Sequence, residues 1–103
     1  MKRSSRHYLI SGRVQGVGYR AFVHRIALRL EITGRVRNLL DGRVEAVVTG
    51  TEESLRTLEA ELRQGPARAL VERLDARVVA APDVWENFSV VEDGDREWSF
   101  AGS

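Results

Sequence analysis

Three glycines fall within seven positions of the stretch GRVQGVGYR, residues 12–20, and an arginine closes it. An apolar run precedes the stretch and a helix-like pattern follows it. Between a strand and a helix, such glycines let the backbone curl so that main-chain N–H groups converge. The first turn of a helix adds N–H groups without partners and a partial positive charge. The sum is a cradle for an anion. Arg20 falls in the first helical turns, where its planar, paired donors suit a phosphate. The plainer alternative is a flexible connection with a solvated arginine.

Two better-known phosphate loops do not fit. The nucleotide P-loop needs Lys followed by Ser or Thr after its glycines, and neither pair occurs here. Residues 16–21 do spell G-x-G-x-x-A, but the strands that follow form a hairpin, with Asp41 in its turn, and the chain is short for a doubly wound domain. There is no cysteine, which excludes disulfides, thiol catalysis and zinc–thiolate sites. Carboxylates and histidines are not grouped at metal-ligand spacing, so no cofactor is expected. His7 and His24 read as surface or partly satisfied side chains, and Trp85 and Trp98 as core or edge cover. The net charge of +1 hides a split: residues 1–40 carry nine cations against Glu31, and residues 41–103 carry seven against fourteen acids. A basic half-chain suits nucleic acid or a small phosphorylated anion.

The elements that must position this loop follow from periodicity. Residues 7–14 read as a strand. From Tyr19 to Glu31, Phe22, Ile26 and Leu30 recur four apart with Val23 and Ala27 beside them, an apolar helical face that Thr33 and Gly34 are expected to end. Residues 35–40 and 43–49 read as strands joined by Asp41-Gly42, a tight-hairpin signal. A second helix runs from the capping Thr51 to Gly65-Pro66, with Leu55, Leu58 and Leu62 inward. Residues 69–80 read as a strand, 81–86 as a loop and 88–91 as a last strand. The order β-α-β-β-α-β plus a short C-terminal strand is that of a ferredoxin-like α+β sandwich, an antiparallel sheet with both helices on one face. All 103 residues are expected to form one domain with its core over about 7–91. Residues 92–103 read either as a polar tail or as a hairpin turned at Asp93-Gly94 that returns Trp98 and Phe100 onto Val90. No apolar run approaches the roughly 20 residues of a membrane span, and the basic start lacks a secretory apolar region; the expectation is cytoplasmic.

The stretch Gly12–Arg20, followed by Gly34, Val36, Asn38, Asp41, Gly42, Val44 and Glu45, resembles the acylphosphatase family closely. Phe22, Ala27, Leu30, Gly50, Leu58, Gly65-Pro66, Ala69 and Val71 extend the resemblance over about residues 7–91. It implies the ferredoxin-like fold and hydrolysis of acyl phosphates. It maps the family's phosphate cradle onto the main-chain amides of Gln15, Gly16, Val17, Gly18, Tyr19 and Arg20. The essential arginine maps onto Arg20 and the water-orienting asparagine onto Asn38. The chain departs from the family in Arg35, where many members carry an aromatic residue, in Tyr19 for the commoner phenylalanine, and in a longer tail.

Hydrolysis at phosphorus expels a carboxylate, the base of an acid with a pKa of about 4. Such a group leaves unprotonated, which matches motifs that hold no general acid. Asn38 also has a plain reading, the bridging of a strand end. Arg13, Arg35 and Arg37 either steer an anion inward or form a solvated strand face. Three functions compete. The first is a free-standing acylphosphatase acting on a small acyl phosphate, monomeric, with no nucleic-acid or membrane partner. The second is a non-catalytic module binding phosphate or carbamoyl phosphate. The third is an RNA-binding sheet, for which the relevant strands offer one aromatic, Tyr8, and no matching signature.

Overall fold

The computed structural model describes residues 2–80 and 85–100. Its elements run β1 (Arg3–Arg13), α1 (Tyr19–Arg29), β2 (Thr33–Asn38), β3 (Val44–Thr51), α2 (Glu52–Gln64), β4 (Leu70–Val78) and β5 (Phe88–Val90). The sheet order is β4-β1-β3-β2-β5. The first four strands pair antiparallel, and β5 joins β2 in parallel, so the sheet is mixed. The ferredoxin-like order expected from the periodicity is therefore present. Positions 81–84 of the expected loop, and residues 101–103, lie outside the described residues.

β1 starts at Arg3, earlier than its polar residues suggest. Arg3, Ser4 and Ser5 pair with Thr51, Gly50 and Thr49 of β3, and this pairing overrides the composition; β4 joins the other edge from Arg6 onward. Ser5 Oγ meets Thr49 Oγ1 at 2.7 Å, and Arg6 reaches both oxygens of Glu52 at 3.0 and 2.8 Å. Alternation then puts Tyr8 and Ile10 in the core beneath the helices and His7 and Leu9 on the other face.

Both helices cover the same face. α1 buries Tyr19, Val23, Ile26 and Ala27, with Phe22 and Leu30 at the margin of the core. It ends before Thr33-Gly34, at a left-handed Glu31 (φ 57°), where Ile32 N–H donates to Ala27 O at 2.9 Å and Glu31 N–H to Leu28 O at 3.3 Å. This double closure satisfies carbonyls of the last turn. α2 is capped as expected: Thr51 Oγ1 accepts from Ser54 N–H at 3.1 Å, and Leu55, Leu58 and Leu62 are buried.

The β2–β3 connection is wider than a two-residue turn. Among the described non-glycine residues only Glu31 has positive φ, so Asp41 cannot supply the first position of the expected turn. Instead Gly42 N–H donates to Leu39 O (3.1 Å), Leu39 N–H donates to Arg43 O (2.8 Å), and Asp41 Oδ1 accepts from Arg43 N–H at 3.1 Å.

Neither expected form of the C-terminal segment is seen over its described part. Beyond β5 the chain crosses to the sheet face opposite the helices. Gly94 bridges Leu39, the Arg37 guanidinium lies 4.0 Å from the Trp98 ring, and Phe100 faces His7 at 5.6 Å. Underneath, Glu45 Oε2 accepts from His7 Nε2 at 2.7 Å and from Trp98 N–H at 2.7 Å, while its Oε1 accepts from Arg37 Nε at 2.8 Å. His7 and Glu45 are both wholly buried. Burial pushes the Glu45 carboxyl up, but the hydrogen bonds from His7, Trp98 and Arg37 outweigh it and hold the group below its ordinary value.

Candidate active site

Between Arg13 and Tyr19 the chain turns through Gly16 (φ 73°) and Gly18 (φ 79°), conformations costly for a side chain bearing Cβ. A Cβ at either position would meet no atom within 4 Å, so the demand is for backbone freedom and not for space. Gly18 is the N-cap of α1, with no side-chain cap and no acidic residue in the first turn. After β1, the first main-chain N–H with a protein acceptor among the described residues is that of Phe22, which donates to Gly18 O at 3.0 Å. Among the described residues, the amides of residues 15–21 have no protein acceptor. Their donors and the positive end of the helix stand ready for an anion.

Side chains fix this loop from both sides. Gln15 Nε2 donates to Leu39 O at 2.8 Å and to Arg43 O at 2.9 Å, tying the loop to the β2–β3 turn. Tyr19 Oη donates to Leu62 O at 2.8 Å, tying the helix start to α2, and burial pushes its phenol up beyond the ordinary range. Val17 packs against the core.

Asn38 ends β2. Its carbonyl accepts from Gly94 N–H at 3.0 Å, and its side-chain Oδ1 is buried without a protein hydrogen-bond partner among the described residues. Buried polar atoms are nearly always paired. One left over beside an anion cradle marks a place for a ligand or water.

These parts line one cavity of about 360 Å³, formed by Val14, Gln15, Gly16, Gly18, Tyr19, Arg20, Ala21, His24, Asn38 and Val90. Of the residues that the resemblance maps onto the site, all but Val17 line it. His24, one helical turn past Arg20 and expected to be a surface or partly satisfied side chain, also lines it. Its i+4 spacing from Arg20 is the signal that placed it on the same face. Its ring lies 6.0 Å from Phe88.

Two of the other basic candidates, Arg35 and Arg37, are engaged on the opposite sheet face. Arg35 lies over Trp85 at 5.4 Å and hydrogen-bonds Asn87 O at 3.3 Å, and Arg37 holds Glu45. Neither is poised to steer an anion into the cavity. Arg20 is 39% exposed and has one charged partner among the described residues, Asp93, at 3.6 Å. No group of three His, Cys, Asp or Glu side chains among the described residues is placed to hold a metal ion, and no helix among them is long and apolar enough to cross a membrane.

The acylphosphatase family model matches residues 6–90. An acylphosphatase of Methylococcus capsulatus (strain Bath) is 49% identical over 87 residues, which is 84% of this chain and 95% of that protein. The structure of an acylphosphatase from Coxiella burnetii superposes with a TM-score of 0.82 at 35% identity, covering 86% of this chain and 93% of that one. The structure of T. kodakarensis HypF superposes with a TM-score of 0.76 at 32% identity over 87% of this chain but only 12% of its own.

Proposed function

The chain belongs to the acylphosphatase family, and from this we propose that its cavity hydrolyses the carboxyl–phosphate bond of acyl phosphates by in-line attack of water on phosphorus, without a metal ion. The amides of residues 15–20 and the Arg20 guanidinium hold the phosphoryl oxygens. Asn38 holds the attacking water. Phosphoryl transfer spreads negative charge over the equatorial oxygens, and fixed donors stabilise that charge without reorganising. The departing carboxylate is a weak base, so no general acid is required. An amide cannot take a proton from water, so the proton leaves late, to the phosphoryl group itself.

The observation that carries this reading is the unpaired, buried Asn38 Oδ1 in the same cavity as the unpaired amides. An amide oxygen in that position accepts a hydrogen bond from water, and the same site cradles the group that water attacks. Turnover of benzoyl phosphate in EDTA tests it, with Arg20→Ala and Asn38→Ala as the informative variants.

A second reading is a module that binds phosphate or carbamoyl phosphate without turnover, and the likeness to a small part of HypF supports it only in that the same fold stands within a longer chain there. It requires Arg20-dependent phosphate binding in a protein that leaves benzoyl phosphate intact.

A further inference from the structure

We propose that Asp93 is a positioning residue acting through Arg20: it guides the guanidinium toward the cavity and competes with bound phosphate for it, so that the site releases inorganic phosphate readily. This rests on the reading of Arg20 as a phosphate ligand.

The carboxylate is anchored where it can do this. Val91 N–H donates to Val36 O at 2.9 Å, Gly94 N–H to Asn38 O at 3.0 Å, and Leu40 N–H to Gly94 O at 2.9 Å. The main chain on either side of Asp93 is thus stitched to β2 and to the turn after it. Gly94 is bonded to the very residue assigned to the water. Asp93 Oδ1 projects from this tether to within 3.6 Å of Arg20 Nη1. One short segment therefore touches both residues assigned to the reaction, and it lies beyond residues 6–90, the part matched by the family model.

The contact has the strength such a role needs. At 3.6 Å, with the two side chains 39% and 51% exposed, it is loose and screened. It can bias the direction of Arg20 without holding all of its donors. A fixed negative charge beside an anion site also opposes the anion, by about three- to tenfold in affinity for charges a few ångströms apart at a protein surface. The chemistry gives that opposition a use. Inorganic phosphate is the product, and it presents to the amides and to Arg20 the same oxygens as the substrate. A site built only of unpaired donors would retain it.

The test is calorimetric titration of inorganic phosphate into the full chain, alongside kcat and KM on benzoyl phosphate. Asp93→Asn is expected to tighten phosphate binding about three- to tenfold. KM should fall in step, and kcat should fall as well, because Arg20 loses its guide and product departs more slowly. Asp93→Glu should restore affinity toward wild type. In an Arg20→Ala background Asp93→Asn should have no effect on phosphate binding, the signature of a residue working through its neighbour. Phosphate binding that is unchanged or weaker in a folded Asp93→Asn variant would overturn the inference. A wild type that binds phosphate but does not hydrolyse benzoyl phosphate would sink the catalytic reading and leave this one standing on the titrations.

Discussion

At the scale of single residues, the proposed mechanism divides the work between two side chains and a set of amides: Arg20 would supply charge and paired donors, and Asn38 would supply an acceptor for water. Removing one preorganised donor of this kind costs roughly 10²–10³ in turnover. Asn38→Ala should therefore lower kcat by about that factor while leaving phosphate binding near wild type, as read by titration. Arg20→Ala should lower kcat at least as much and weaken phosphate binding too. Arg20 was legible in the sequence because a cation at the exit of a glycine loop has a local geometric meaning. Asn38 was legible only through the family resemblance, since a lone asparagine at a strand end has several uses. The structure adds that its Oδ1 is buried and unpaired. Asp93 could not be placed beside Arg20 from spacing, because what brings it there is the path of the chain after β5, which pairs with β2 in parallel.

At the scale of elements, the loop between β1 and α1 is defined by backbone conformation. Gly18→Ala puts a Cβ on a residue with φ of 79°. It should cost about 1–2 kcal/mol in stability by chemical denaturation. It should also slow turnover well beyond that loss, because the first-turn amides would lose their aim. Thr51→Ala is the counterpart away from the site. Loss of its bond to Ser54 N–H should cost about 1 kcal/mol while leaving KM and kcat on benzoyl phosphate as they are. The elements themselves were readable from periodicity and turn chemistry, which are local. Their ends were less so. β1 extends to Arg3 because β3 pairs with it as far as Thr51, and α1 stops just before a left-handed Glu31, a conformation that residue type does not announce.

At the scale of the whole molecule, the sheet has a second buried layer on the face away from the helices, organised by Glu45. Its partners His7, Arg37 and Trp98 lie 38, 8 and 53 residues away in sequence. Such partners emerge only from strand register and from the path of the C-terminal segment. Alternation alone reads that face as solvated, which is why the sequence left it unassigned. Because the folded pKa of Glu45 lies below its unfolded value, its contribution is complete above the unfolded value, about 4.3, and is lost as pH falls through the folded one. Thermal melts should show the wild type losing Tm from pH 6 to pH 3 more steeply than Glu45→Gln. Above pH 6 the variant should be less stable by about 3–5 kcal/mol, because it leaves buried partners without their anion. Equal pH slopes would mean that this carboxylate is not what couples the C-terminal segment to the sheet.

Whether a metal-free cavity built from the 15–20 amides, Arg20 and Asn38 hydrolyses acyl phosphates is decided by the rate of benzoyl phosphate hydrolysis in EDTA. The wild type should turn over rapidly, and Arg20→Ala and Asn38→Ala, both folded, should be slower by at least about a hundredfold. A folded wild type without turnover in EDTA, or either variant retaining most of the activity, would contradict the proposed mechanism.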